Sequence, residues 1–308
     1  MTVTTTPSKD WASQLVNGVL AVKPLANWAK HQARQMMINR AEKLGVPWRQ
    51  QANSLLSRNW DSEWQQIYNH DLIYPEYYCR SFHAYETGNL SWQAAAEVEV
   101  AAYSVHSKIW PEAGIEGDTR LRQSYHNVLQ DQLPEAPQTI VDLGCGVGMS
   151  TFALQDLYPQ ANLTGIDLSP YFLAIALYRS QNRSQPAPVW LHCAGESTGL
   201  PDASVDLVSL CLVCHELPQT ATRKIFQEAR RILRPGGHLA IMDMNPQSEF
   251  LQRIPPYVLT LLKSTEPFLD QYFSLDIQQT IEQAGFNTPT ITYNSPRHRT
   301  IIAQLSIP

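Results

Sequence analysis

The stretch Val141-Asp142-Leu143-Gly144-Cys145-Gly146-Val147-Gly148 reads as a buried strand that stops in a glycine-rich turn. Glycine reaches positive φ at little cost and lets the backbone approach a ligand closely. About twenty residues further on, Leu163-Thr164-Gly165-Ile166-Asp167 reads as a second apolar strand ending in an acid. An acid at that tip accepts hydrogen bonds from a ribose diol. The pair predicts parallel strands with a nucleoside-containing ligand across their carboxyl ends. The turn is not a dinucleotide fingerprint, because the third glycine would fall at Met149. No Lys-Ser/Thr pair follows the glycines, so it is not a phosphate-binding P-loop either. Asp142, just ahead of the first glycine, repels a pyrophosphate and attracts an ammonium. The residues favour a ligand with a ribose and a cationic tail.

Charge and composition narrow the partners. The 308 residues include 23 basic and 28 acidic ones, for a net charge of -5, which gives no bulk attraction for nucleic acid. The length suffices to bury a core in one large domain or two modest ones. Five unevenly spaced cysteines do not make a disulfide framework, and free thiols fit a reducing, cytoplasmic setting. Met1 to Asp10 is polar and threonine-rich, so neither a signal peptide nor a membrane anchor is expected there. No segment reaches the ~18 consecutive apolar residues of a membrane span. A small-molecule partner is therefore expected, and oligomeric state is left open.

Two textures divide the chain. Seven of the eight tryptophans lie at or before Trp110, in a region that reads helical. Helices are predicted over Pro24 to Leu44, Trp60 to His70, Ser91 to Ile109 and Leu121 to Leu133, with Ser91 as an N-cap. Pro134-Glu135-Ala136-Pro137 marks a boundary, which gives a region 1–134 and a region 135–308. Beyond it, strands are predicted at Thr139 to Leu143, Asn162 to Asp167, Val189 to Cys193, Val205 to Val213 and Gly237 to Asp243. Amphipathic helices fall between them at Ser150 to Leu157, Ser169 to Ser180 and Thr220 to Leu233. This is the βαβ rhythm of a parallel sheet covered on both faces. A broken helical insertion runs from Pro246 to about Phe273. Two strand-like runs between Thr290 and Leu305 predict an antiparallel edge hairpin.

Five ordered segments together resemble the class I S-adenosylmethionine-dependent methyltransferases, of the type 11-like kind. They are Val141 to Gly148, Gly165 to Pro170, Leu200 to Val208, Arg230 to Leu239 and a closing helix from Leu275 to Phe286. The resemblance covers roughly Gln138 to Gln304. It implies a Rossmann-like, mostly parallel seven-stranded sheet with an antiparallel edge hairpin, here with an N-terminal helical cap. It also implies S-adenosyl-L-methionine as cofactor. By the same resemblance, Asp142, Gly144, Cys145 and Gly146 surround the methionyl part, Asp167 takes the ribose hydroxyls and Leu168 packs near the adenine. Gly195 and Glu196 then sit beside the adenine, and Cys211 faces the cofactor from the end of the fourth strand. Many relatives have an aspartate where this chain has Ala194, so adenine recognition is expected to fall to backbone groups or Glu196.

Methyl transfer from a sulfonium needs alignment, and a base only where the acceptor must lose a proton. Cys211-Leu212-Val213-Cys214-His215-Glu216 lies at the active edge of the sheet, making His215 and Glu216 catalytic candidates, His215 as general base. No further ligand lies at metal-site spacing, so no metal is expected. The N-terminal run Tyr74 to Trp92 concentrates aromatic rings with Arg80, His83 and Glu86. Polar aromatics suit a pocket wall. Tyr77, Tyr78, Arg80 and Tyr85 are substrate candidates there, His83 is a third catalytic candidate, and Tyr257 and Tyr272 are substrate candidates in the insertion. The expected reaction is methylation of a small molecule at an unresolved atom. A peptide or protein acceptor, a non-catalytic cofactor-binding protein and a dinucleotide dehydrogenase are the alternatives.

Overall fold

The computed structural model describes residues 23–83 and 85–306. The expectation about Met1 to Asp10 lies outside them. Among the described residues, five α-helices precede the sheet: α1 (Lys23–Lys43), α2 (Trp48–Leu56), α3 (Asp61–Ile67), α4 (Trp92–His106) and α5 (Gly117–Gln132). The helix α2 was not anticipated; Trp48 and Ala52, one turn apart, are its buried face. The Ser91 cap is present, its side chain accepting from the Ala94 N–H.

The chain then alternates. Strand β1 (Thr139–Leu143), helix α6 (Met149–Leu157), β2 (Asn162–Asp167), α7 (Pro170–Ser180), β3 (Val189–His192), β4 (Val205–Cys211), α8 (Gln219–Ile232) and β5 (Leu233–Met244) follow in turn. Three short helices fill the insertion, α9 (Glu249–Arg253), α10 (Pro256–Thr265) and α11 (Leu269–Phe273). Helix α12 (Ile277–Gln283) and strands β6 (Thr290–Thr292) and β7 (His298–Gln304) complete the fold.

The seven strands are ordered β3-β2-β1-β4-β5-β7-β6. The pairings among β1 to β5 are parallel, while β7 runs antiparallel to both β5 and β6. Successive strand residues alternate between two cores. Ile140, Leu207 and Ala240 pack with Leu121, Tyr125 and Leu129 of α5 on one face. Val141, Val208 and Ile241 pack with Ile225, Phe226 and Ala229 of α8 on the other. Burial on both faces makes these strands nearly continuous apolar runs, and that is why their positions were readable. Strand order reverses between β1 and β4, where a crevice opens beyond their carboxyl ends.

The tryptophans of the N-terminal region fasten it to the sheet. Trp60 stacks on Trp92 at 5.2 Å and meets Tyr178 of α7 edge-on at 5.6 Å. Trp190 of β3 lies over Gly165 of β2 and donates to Ser180 Oγ at 2.9 Å. A methyl group on Gly165 would come 2.4 Å from the Trp190 ring. Gly165→Ala is therefore expected to destabilise the fold by about 1–3 kcal/mol through overpacking. Denaturant unfolding should show a lower midpoint with an unchanged slope.

Among the described residues, no helix is long and apolar enough to cross a membrane.

Candidate active site

A cavity of about 680 Å³ lies outside the carboxyl ends of β1, β2 and β4. Its floor includes Gly144, Gly146, Asp167 and Leu168; the Tyr77–Tyr85 loop covers it, and α4 and α10 line its sides. Gly144 has φ +72°, and an added Cβ would lie 2.7 Å from Val213 of the β4 loop. Only glycine allows that closure between β1 and β4. The Gly144 and Cys145 N–H groups both donate to the Ile166 carbonyl, at 2.8 and 3.1 Å. The turn is thereby tied to β2.

Asp167 closes the β2 tip. It accepts from the Gly146 N–H at 2.8 Å, the Ser169 N–H at 2.7 Å and the Tyr78 hydroxyl at 3.2 Å. Burial pushes its carboxyl upward, against those donors. Glu196 accepts from the Tyr77 hydroxyl at 2.7 Å, and its Oε2 is buried without a partner. Asp142 is not on the cavity wall. It is 1% exposed, and its Oδ2 accepts from the Ser150 and Thr151 hydroxyls at 2.6 Å, fastening the start of α6. Its Oδ1 has no partner, and burial raises its pKa to about 6 despite the two hydroxyls.

Arg122 of α5 is a wall residue that sequence reasoning passed over. It looks there like one more polar residue of an amphipathic helix. It is held by Asp118 (Nε to Oδ2, 2.9 Å), which also meets His106 Nδ1 at 2.7 Å. Its Nη1 lies 3.6 Å from Cys211 Sγ, at the end of β4. Burial disfavours the guanidinium charge, but the Asp118 carboxylate outweighs it.

At another part of the wall, His215 Nδ1 is 2.7 Å from Asp243 Oδ1, and the His215 backbone N–H donates to Asp243 Oδ2 at 3.2 Å. Burial opposes the imidazolium, yet Asp243, Glu266 and Glu216 outweigh it and raise His215 to about 10. His215 thus keeps its proton at neutral pH, unlike the free base expected from sequence. Burial raises Glu216 to about 8 against the pull of His215. His83 Nε2 lies 3.7 Å from Glu216 Oε1 and 4.0 Å from Glu266 Oε1. His83 has 37% of its side chain accessible on the cavity wall. Enclosure by protein, helped by neighbouring His215, lowers its pKa to about 3. Among the described residues, no three His, Cys, Asp or Glu side chains converge as metal ligands would.

The profile of the family described as methyltransferase domain matches residues 141–241. A malonyl-[acyl-carrier protein] O-methyltransferase of Hahella chejuensis is 38% identical over 114 residues, 37% of this chain and 39% of that protein. A trans-aconitate 2-methyltransferase of an Azoarcus species is 39% identical over 124 residues, 40% and 46% of the two chains. Residues 141–241 form a methyltransferase domain of the S-adenosylmethionine-dependent kind. The chain spans less than half the length of these two relatives. The phosphoethanolamine N-methyltransferase 2 of Haemonchus contortus, solved with S-adenosyl-L-methionine, shares the fold with a TM-score of 0.51. That likeness covers 70% of this chain and 58% of the other at 14% identity.

S-adenosylmethionine is the cofactor of this methyltransferase domain, and the cavity suits it. Asp167 would meet a ribose diol, and the partnerless Oε2 of Glu196 an adenine amine. Gly146 leaves open space beside the turn, since a Cβ there would meet nothing closer than 3.9 Å. Arg122, a cation with 13% of its side chain exposed, would meet a carboxylate. Of the residues expected at the cofactor, Gly144, Cys145, Gly146, Asp167, Leu168, Gly195, Glu196 and Cys211 all line the cavity, and Asp142 stands behind it.

The catalytic candidates His83, His215 and Glu216 come together on the wall, although 132 or more positions separate His83 from the other two. Tyr77, Tyr78, Arg80 and Tyr85 also line it. Arg80 pairs with Glu76 at 3.0 Å, and the Tyr85 hydroxyl donates to Glu97 at 2.6 Å. Two expectations are corrected. Tyr257 is half exposed on α10 and off the wall, while Tyr272 is 1% exposed in the core. The Tyr272 hydroxyl donates to the Met244 carbonyl at 2.6 Å, so apolar packing of the ring and one backbone acceptor account for it. Asp243 read only as the last residue of a strand, and Glu266 only as part of the break Glu266-Pro267-Phe268, so neither stood out as a site residue.

Asp243→Asn removes the charge that holds the His215 proton. NMR titration of the His215 imidazole should find it protonated through pH 8 in the parent. Its pKa should fall by more than about one unit in the variant.

Proposed function

We propose that the protein transfers a methyl group from S-adenosylmethionine to a small-molecule acceptor. What carries this reading is the continuity of one cavity, from the glycine turn and Asp167 to the apolar surfaces of α4 and α10. A cofactor seated on the strand ends would present its reactive end to an enclosed chamber. In this reading residues 1–134 are a substrate-selecting cap and 135–308 the catalytic domain, with residues 246–273 as an added wall. We place the protein in the cytoplasm, in keeping with free thiols at all five cysteines. The two relatives' names differ in their acceptors, so similarity does not select one.

When bound, S-adenosylmethionine supplies a methyl group on a sulfonium, which makes that carbon electrophilic. The residues of this chain supply the rest. Asp167 fixes the ribose by hydrogen bonds. Arg122 takes the carboxylate of the amino-acid tail, charge against charge in a buried setting. The Tyr77–Tyr85 loop excludes water, and the chamber walls align the acceptor. His215, kept charged by Asp243, positions Glu216 and the acceptor rather than removing the proton itself.

Calorimetry with S-adenosylhomocysteine tests the cofactor half. Saturable binding is expected, and its absence would overturn the proposal. Asp167→Ala should weaken binding by about 1–3 kcal/mol. Arg122→Met should weaken binding of S-adenosylhomocysteine while leaving 5′-methylthioadenosine, which lacks the carboxylate tail, nearly unchanged. Equal losses for both ligands would remove Arg122 from the tail. For the acceptor half, methyl-labelled cofactor is incubated with cell extract and the label separated by mass. Label in the low-mass fraction is expected, and label confined to polypeptides would move the reading to a protein acceptor.

A further inference from the structure

We propose that the acceptor is an amine carried on a bulky apolar body, with its nitrogen held between Glu216 and Glu266. This rests on the methyltransferase reading above and narrows it. The first observation is what the polar corner offers. Glu266, 9% exposed, lies on the cavity wall, and its Oε2 is buried with no hydrogen-bond partner. Glu216 lies on the same wall with His83 Nε2 between the two carboxylates, 3.7 Å from one and 4.0 Å from the other. The His83 ring is too far from either for a hydrogen bond. Its backbone N–H donates to the Thr265 carbonyl at 3.0 Å, pinning the N-terminal loop beside Glu266. His83 has φ +48°, a strained value for a β-carbon-bearing residue. Such strain is held by the surroundings and gathers at functional sites.

Charge decides the class of ligand. His215 and Asp243 neutralise one another at 2.7 Å. Arg80, the cation on the adjoining loop, is turned to Glu76 at 3.0 Å. Glu216 Oε1 lies 4.0 Å from His215 Nε2, whose charge Asp243 already takes up, and Glu266 Oε1 lies 4.0 Å from the uncharged His83. A carboxylate ligand would meet two acidic side chains and no unpaired cation. A neutral hydroxyl would satisfy one acceptor. An ammonium satisfies both, and its charge offsets the excess of acids over cations in the corner.

The second observation is the shape beyond that corner. On α10, Val258, Leu261 and Leu262 line the cavity, and no residue of that helix is buried. The same cavity is lined on α4 by Val98, Ala101 and Val105, the last 46% exposed. Two apolar helix faces thus flank open space, continuous with the acidic corner, that a hydrocarbon or aromatic body would fill.

The chemistry balances. Glu216, ionised opposite the ammonium, takes one of its protons and leaves a neutral amine. The amine lone pair forms the new N–C bond as the C–S bond breaks, the bonding pair staying on sulfur. The product is a methylated ammonium held by the Glu266 carboxylate, and Glu216 returns its proton to solvent.

The test uses the full chain saturated with S-adenosylhomocysteine, whose own binding is measured first. Failure there sinks the methyltransferase reading. The probes are 4-phenylbutylamine, 4-phenylbutanol and 4-phenylbutanoate, alike except for the head group. The amine is expected to bind at least tenfold more tightly than the other two. Glu266→Gln should reduce that preference at least fivefold, with S-adenosylhomocysteine affinity unchanged. Equal or tighter binding of the carboxylate or the alcohol would overturn the proposal on the parent protein alone, as would an amine preference that survives both Glu266→Gln and Glu216→Gln.

Discussion

One buried carboxylate organises the cofactor end. Asp167 accepts from the glycine turn through Gly146, from the start of α7 through Ser169, and from the covering loop through Tyr78. Three segments that are distant in sequence therefore share one anion. Burial disfavours that charge, and the backbone donors offset the cost. Such a group is stable only where its donors are fixed. The turn is fixed by the Ile166 carbonyl and by the close approach of Gly144 to Val213. Without those constraints Asp167 would be an ordinary solvated strand-end acid.

The catalytic-domain half of this arrangement was legible in the sequence. β1 and β2 fall at the expected residues because each is an apolar run buried on both faces, bounded by a glycine turn or an acid. The glycines and Asp167 announce themselves because backbone geometry restricts what can stand there. Chamber residues carry no such mark. Val98 and Ala101 on α4, and Leu261 on α10, look like core positions, and only tertiary structure shows the space between them. Arg122 was hidden for the opposite reason, since a charged helix residue is normally a solvated one. The side chains of Tyr257 and Tyr272 were read as alike, yet one faces outward and the other packs in the core. Periodicity over such short, proline-broken helices is too brief to separate them.

The reactive corner shows why a residue type alone does not give a role. A histidine after a central strand suggests a base because its unperturbed pKa is near neutral. Here Asp243, buried and paired, reverses that inference by stabilising the imidazolium. The pair sits among further carboxylates rather than in solvent, so His215 is better suited to holding charge in place than to exchanging it. His83, brought close by the loop, shows the converse: with its charge disfavoured by enclosure and by His215, it remains neutral.

Charge is thus segregated along one cavity. The Arg122 guanidinium lies near Cys211 at the β4 end, while Glu196, Glu216 and Glu266 supply carboxylates elsewhere on the wall. A zwitterionic, ribose-bearing cofactor has its own charges in a fixed order, and a wall with separated charges accepts it in one direction more readily than the reverse. Tyr77 and Tyr78 add a consequence. Their hydroxyls already occupy Glu196 and Asp167, the two acids that a nucleoside would engage. A ligand must therefore share those acids or displace the phenols, and displacing them moves the loop that carries His83. In the proposed reading, cofactor binding and the shape of the acceptor corner are linked through the five residues between Tyr77 and His83.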